Sequence, residues 1–263
     1  MKHTIHFAHA NGFPSSCYRK MFSYILDEFD LNYIDTIGHQ THYPVTDNWD
    51  YLTKELIENI ERSHDNPVIG VGHSLGGVLN YLAASQRPDL FKAIVMLDSP
   101  VYGYFKSSMI RLFKQLKLID YITPGKRTKN RRNVWQNKQE LYQYLKTKAL
   151  FKYFDEDCLN DYIEYGMQHN DDAVYLKFDR DIEYAIYRTI PHHLAKINKR
   201  VTVPKGLVYG EYASVLKPSD VNFMQNSLHF RVMSSKGSHL FPFEYPEAAA
   251  NALKRVIGQL VKF

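Results

Sequence analysis

The chain has 263 residues, 44% of them hydrophobic, and a formal net charge of +5 with a sequence pI of about 8.9. That size supports one large α/β domain with an inserted piece, and a mild charge excess of this kind is a solvated surface, which excludes a strongly basic nucleic-acid binder. Two cysteines, Cys17 and Cys158, stand far apart without metal-ligand spacing, so neither a disulfide framework nor a zinc site is implied.

The opening Met1 to His9 is too short and too polar in alternation for a signal peptide, and no apolar run approaches the ~20 residues of a membrane span. The expected location is the cytoplasm. Residues 3–8 alternate as a strand, followed by the turn-forming His9-Ala10-Asn11-Gly12-Phe13-Pro14. Ser15 or Ser16 is placed to cap a helix carrying Tyr18, Met21, Phe22, Ile25 and Leu26, and Leu31 to Asp35 reads as the next strand. Thr46 or Asp47 is placed to cap a helix with Trp49, Leu52, Leu56, Ile57 and Ile60 on its inner face.

Pro67 leads into a buried apolar run, and Val78, Leu79, Leu82 and Ala83 then recur with helical spacing. Between them lies Gly72-His73-Ser74-Leu75-Gly76, a strand, tight turn and helix in which glycines flank a serine. That spacing lets the backbone pass through a strained conformation and hold a hydroxyl above the sheet at a helix N-terminus. A serine hydroxyl needs a base to take its proton, and His239 in Ser235-Lys236-Gly237-Ser238-His239 follows the strand-like run 229–233, on a loop at a strand's carboxyl end. A buried strand from Phe91 ends at Asp98, and another from Val201 leads to Gly210-Glu211. Between them, residues 101–200 show helix-period apolar spacing rich in tyrosine, phenylalanine and lysine, with no strand run. The basic run 126–132 reads as an exposed loop of this region, the alternative being contact with anionic lipid or nucleic acid. His192 and His193 are adjacent and point different ways on most backbones, which argues against metal binding.

Gly72-His73-Ser74-Leu75-Gly76 and Gly237-Ser238-His239, followed by Phe243-Glu244-Tyr245-Pro246-Glu247, resemble the nucleophile elbow, histidine loop and last helix of the α/β-hydrolase superfamily, whose triad runs Ser, acid, His. The resemblance spans nearly the whole chain outside the middle third. It implies a doubly wound, mostly parallel sheet formed by residues 1–100 and 201–263, without the antiparallel strands that open many relatives, and a helical cap at residues 101–200. It also implies an oxyanion hole from the N–H of Leu75 and that of Asn11 or Phe13, on the loop the superfamily writes His-Gly-x. Asp35-Thr36-Ile37-Gly38-His39 resembles the superfamily's Asp-x-x-Gly-His turn, so Asp35 and His39 are expected to brace the loop behind the elbow.

The resembled family's usual Gly-x-x-Asp loop is replaced here by Gly210-Glu211-Tyr212-Ala213, without the aspartate. The acid that must accept the histidine Nδ1 proton is then Asp98, with Glu211 as the alternative and Asp220 behind it. Ser74 as nucleophile, His239 as base and Asp98 as acid imply hydrolysis of a small or medium lipophilic carboxylic ester through an acyl-enzyme, with no metal or organic cofactor. Apolar cap residues such as Leu112, Phe113, Leu116, Ile119, Leu141, Tyr144, Leu145, Leu150, Phe151, Tyr153 and Phe154 are candidates to line the substrate pocket. The same triad serves thioesters, amides and C–C bonds, and a non-catalytic ligand receptor on a hydrolase scaffold is the alternative of another class. A serine at this position argues against haloalkane dehalogenase and epoxide hydrolase chemistry, where the resembled enzymes use aspartate.

Overall fold

The computed structural model describes residues 2–212 and 215–261. Six strands, β1 (His3–Ala8), β2 (Phe29–Tyr33), β3 (Val68–His73), β4 (Phe91–Leu97), β8 (Lys205–Gly210) and β9 (Arg231–Ser235), form one sheet in the order β2-β1-β3-β4-β8-β9. Every neighbouring pair is parallel. The central strands β3 and β4 are buried nearly throughout, which accounts for their continuous apolar runs. Because the chain leaves β1 toward β2 and then returns to β3 on the other side, the carboxyl ends of β1 and β3 flank a topological switch point, where open α/β sheets place ligands.

Helices cover both faces. On one, α1 (Arg19–Ser23) and the final helix α12 (Pro246–Leu260) contribute Met21, Phe22, Leu253, Val256 and Ile257 to a core with Ile5, Phe7, Ile69 and Val71. On the other, α2 (Asp50–Ser63) and α3 (Leu75–Gln86) bury Leu52, Leu56, Leu79 and Leu82 against Val68, Ile94 and Met96. The helix expected from Ser15 is instead a 3-10 turn, Ser15–Tyr18, followed by the short α1. Ser15 Oγ donates to the carbonyl of Ile34 at 2.6 Å and so caps no helix, and Leu26 lies exposed beyond it. Neither Thr46 nor Asp47 caps α2. Asn48 and Trp49 carry φ of 60° and 64°, and that kink turns the indole so that its N–H donates to the carbonyl of Ile186 at 3.0 Å.

The insertion between β4 and β8 carries α4 (Tyr104–Gln115), α5 (Gly125–Lys129), α6 (Lys138–Lys146), α7 (Glu156–Tyr165), α8 (Arg180–Arg188) and α9 (Leu194–Ile197). Contrary to the expectation of an all-helical region, it also holds a three-stranded antiparallel sheet of β5 (Val134–Trp135), β6 (Met167–His169) and β7 (Val174–Leu176). These strands have two or three residues each, too short for alternation to register. Asp179, not Asp181, caps α8, accepting from the N–H groups of Asp181 and Ile182. Two short helices, α10 (Pro218–Asn222) and α11 (Phe241–Glu244), complete the set. Phe151, Phe154 and Tyr162 of the insertion pack around Phe13, and with Leu141 and Leu145 they lie within the same core as β1 and α12.

The turn from β3 into α3 is the tightest packing in the sheet. A Cβ on Gly76 would stand 2.0 Å from the carbonyl oxygen of Ala8, and one on Gly72 would stand 2.2 Å from the backbone of Gly76. No side-chain motion relieves a clash between backbones. Gly76→Ala is therefore expected to cost at least about 3 kcal/mol, whereas Gly103→Ala, whose nearest neighbour is the Phe223 ring at 3.7 Å, costs about 1 kcal/mol or less; urea midpoints compare the two.

Burial of histidines sets a second expectation. His6 on β1 donates from Nε2 to Asn59 Oδ1 at 2.8 Å, and desolvation lowers its pKa from 6.5 to about 4. A base whose folded pKa is depressed contributes stability above its unfolded value and loses it as pH falls toward the folded one. Between pH 7.5 and 5 the wild type is thus expected to lose about 2 kcal/mol more than His6→Gln, read from urea titrations of both proteins at the two pH values.

Candidate active site

Ser74 follows β3 with φ 51° and ψ −107°, outside the regions that L-residues favour, directly before α3. Two backbone bonds hold it there. Its N–H donates to the carbonyl of Leu97 at 2.9 Å, and the N–H of Gly76 donates to the carbonyl of His9 at 3.0 Å, so the elbow is tied to the ends of both neighbouring strands. Ser74 and Leu75 line a cavity of about 600 Å³ whose wall is mostly apolar, with Trp49, Met109, Ile110, Ile186 and Leu194 among its residues. As the first residue of α3, Leu75 presents an amide that has no carbonyl one turn earlier in the helix.

Asp98 follows β4 at φ 43° and is fully buried. Its Oδ2 accepts from His239 Nδ1–H at 2.7 Å and from the N–H of Val215 at 3.1 Å, while Oδ1 accepts from the N–H of Gly210 at 3.2 Å. These donors orient the carboxylate and, with Nδ1 committed to Asp98, leave the Nε2 side of His239 for other chemistry. Glu211, the alternative acid, is exposed and accepts from Ser234 Oγ at 3.0 Å. Asp220 is engaged by Lys106 Nζ at 2.6 Å and by the N–H of Lys217 at 2.9 Å. The carboxylate brought to His239 is thus that of Asp98.

The histidine loop is itself braced. Glu244 accepts from the N–H and hydroxyl of Ser238 at 2.6 and 2.5 Å. His73 Nε2–H donates to the carbonyl of His239 at 2.9 Å, so its Nδ1 accepts from the Tyr18 hydroxyl at 2.8 Å, and that hydroxyl accepts from the N–H of Ala10 at 3.1 Å. One chain of hydrogen bonds therefore joins the β1 loop, the elbow strand and the histidine loop. It requires a neutral His73, and burial together with the nearby His239 ring lowers the His73 pKa to about 3. Sequence reading missed this function of His73 and Tyr18; the available signal was a polar residue inside an otherwise apolar buried strand.

The β1 loop divides the two oxyanion candidates. The N–H of Phe13 donates to the carbonyl of Ala10 at 3.1 Å, and its ring packs against Phe154, Tyr162 and Phe243 in the core. Phe13 is corrected on that ground, since its amide is already committed to a turn. Asn11 lines the cavity beside Ser74 and donates from Nδ2 to the carbonyl of Glu183 at 3.0 Å. His9 accepts from the N–H of Ile37 at Nε2 and donates from Nδ1 to Ala10, a neutral tautomer whose pKa burial lowers to about 4. Gly12 has φ +83°, and a Cβ there would stand 2.9 Å from the carboxyl group of Glu183, so α8 presses directly on this loop.

Asp35 and His39, expected to brace the loop behind the elbow, bond to the β1 loop region and to the insertion. Asp35 accepts from Lys177 Nζ at 2.5 Å and from the N–H of Ser16, and His39 Nε2 accepts from the N–H of Asp179. Both residues tie the insertion to the body. None of the apolar residues expected from sequence to line the pocket is among those that do: Leu141, Tyr144, Leu145, Phe151 and Phe154 pack in or against the Phe13 core, Ile119 is buried away from the cavity, Phe113 is half-buried, and Leu112, Leu116, Leu150 and Tyr153 are exposed, while the cavity takes Met109, Ile110, Ile122, Ile186 and Tyr187 from α4, α8 and the segment after α4. Among the described residues no group of His, Cys, Asp or Glu is arranged to hold a metal ion, and no helix is long and apolar enough to cross a membrane.

Comparison with known proteins identifies the family and the fold. The model of the alpha/beta hydrolase family matches residues 7–252. The chain is 28% identical over 244 residues to the uncharacterized hydrolase YugF of Bacillus subtilis, covering 90% of this chain and 84% of that protein. Among solved structures, E-2-(acetamidomethylene)succinate hydrolase superposes with a TM-score of 0.75 at 18% identity, covering 98% of this chain and 91% of the other. The thioesterase domain from the curacin biosynthetic pathway superposes at 0.72 and 17% identity, covering 97% and 91%. With the family model spanning residues 7–252, most of its length, the chain belongs to the alpha/beta hydrolase family.

Proposed function

We propose that the protein hydrolyses a lipophilic carboxylic ester through an acyl-enzyme on Ser74. The observation that carries this reading is the 2.7 Å contact of buried Asp98 with His239 Nδ1 at the site where a strained Ser74 faces a mostly apolar cavity. In this reading His239, held in the Nδ1–H tautomer by Asp98, takes the Ser74 proton through Nε2 as the hydroxyl attacks the acyl carbon. The N–H groups of Leu75 and Asn11 hold the oxyanion of the tetrahedral intermediate. His239 then returns the proton to the leaving alcohol, and water, deprotonated by the same imidazole, releases the acid. Residues 101–200 serve as a cap that supplies most of the cavity wall and keeps bulk water from the acyl-enzyme.

The ester is favoured over a charged or highly polar substrate by the wall itself. Trp49, Ile110, Ile186 and Leu194 offer apolar contacts, and burial raises the Tyr102 pKa to about 12, so its phenol stays neutral beside them. Relatives in this fold carry names that include thioesterase, enol-lactonase and deformylase, so the bond cleaved is tested directly. With p-nitrophenyl esters of increasing chain length, Ser74→Ala is expected to abolish turnover. Asp98→Asn is expected to lower kcat about 10⁴-fold, and Glu211→Gln to change it less than about twofold. Equal inertness of wild type and Ser74→Ala toward every ester, with turnover of thioesters or amides, would move the assignment to those bonds; inertness toward all of them would favour a ligand receptor.

A further inference from the structure

The geometry points to a second function for the segment running from α4 through α5: docking of the protein on an anionic lipid bilayer surface. Phe105, Met109, Leu112 and Leu116 recur at the 4-3-4 spacing of one helical stripe, and all four are exposed, Phe105 at 80%. Ser107 and Ile110 form the buried side of the same helix. Leu118, Tyr121 and Ile122 continue the exposed apolar surface, Tyr121 at 77%. Nearly half of the large exposed hydrophobic side chains among the described residues fall in this one stretch of chain, a concentration that marks an interaction surface.

Charge identifies the occupant. Residues 104–132 contain nine Lys or Arg and one acid, Asp120, a net of +8 in a chain whose total is +5. Four of the nine are ion-paired with acids from elsewhere: Lys106 with Asp220, Lys114 with Asp47, Arg131 with Glu183 and Arg132 with Glu140. The other five, Arg111, Lys117, Lys126, Arg127 and Lys129, are exposed and have no ion-pair partner among the described residues. Exposed aromatic and aliphatic side chains interleaved with unpaired cations match an interface of headgroup phosphates over acyl chains. A nucleic acid would leave Leu112, Leu116, Leu118 and Ile122 without partners. A second copy meeting this face across a two-fold axis would set the five unpaired cations of one chain against those of the other.

The same segment builds part of the cavity wall through Met109, Ile110, Ile122 and Thr123. Docking there places the cavity beside the bilayer, so that a lipophilic ester passes into it from the lipid phase; this last step rests on the ester reading, whereas the docking does not.

The test is flotation of the full-length protein with vesicles of phosphatidylcholine alone or mixed with phosphatidylglycerol, at low and high salt, alongside turnover of a soluble p-nitrophenyl ester. Binding is expected to the mixed vesicles only and to be lost at high salt. Lys117→Glu/Lys126→Glu/Arg127→Glu is expected to weaken it at least about tenfold, given roughly fivefold per cation near an anionic surface, and Phe105→Asp/Leu112→Asp to do likewise, with soluble-ester turnover unchanged in both. The proposal is overturned by absence of flotation with either vesicle, by equal salt-insensitive binding to both, or by a dimer in solution that Phe105→Asp/Leu112→Asp dissociates. Because flotation needs no turnover, a wild type inert toward esters would count against the catalytic reading and leave the docking result to stand by itself.

Discussion

Everything at the carboxyl edge of the sheet depends on how closely α3 passes over the ends of β1 and β3. The chain reverses through Ser74 at φ 51° and ψ −107°, and it can do so only because positions 72 and 76 lack a Cβ. The strain is held by hydrogen bonds from Ser74 N–H to Leu97 and from Gly76 N–H to His9, each reaching a different neighbouring strand. The serine is thereby fixed relative to the β4 end, where Asp98 stands, and relative to the β1 loop, where Asn11 stands. Positional accuracy of the site thus comes from backbone packing, with the side chains of the loops added to it.

A neutral histidine carries the next layer of order. His73 spans the distance between Tyr18 and the carbonyl of His239, and it can do so only with one ring nitrogen accepting and the other donating. Burial keeps it in that state by making a charged imidazole costly, as it also does for His9 beneath the β1 loop. The two rings perform the same task in different places: each converts a loop end into a fixed point through paired hydrogen bonds. Loss of either would leave a buried donor or acceptor unpaired as well as loosening a loop.

The sheet and the elbow were legible because their signals are local. Buried parallel strands read as apolar runs, and a serine between two glycines at a strand-to-helix junction has few other physical uses. Asp98 was legible as one option among three, since its position at the end of β4 was clear while its distance to His239 depends on how β4, β8 and the loop after β9 are registered. In the structure the Asp98 carboxylate meets His239 Nδ1, and the N–H groups of Gly210 and Val215 converge on it. Phe13, Leu141, Leu145, Phe151 and Phe154 were placed wrongly for the opposite reason. Periodicity shows that a side chain is buried and is silent about which side of the insertion it is buried on, and these pack on the α12 face of the sheet while α4 and α8 wall the cavity. The short strands β5, β6 and β7 fell below the length at which alternation carries information.

The most direct test of the central claim is intact-mass and peptide mapping after brief exposure to a fluorophosphonate. The account predicts one equivalent of phosphonylation, located on the peptide containing Ser74, absent in Ser74→Ala and strongly slowed in His239→Ala. Stoichiometric labelling at another residue, or labelling of Ser74 that is indifferent to His239, would contradict it.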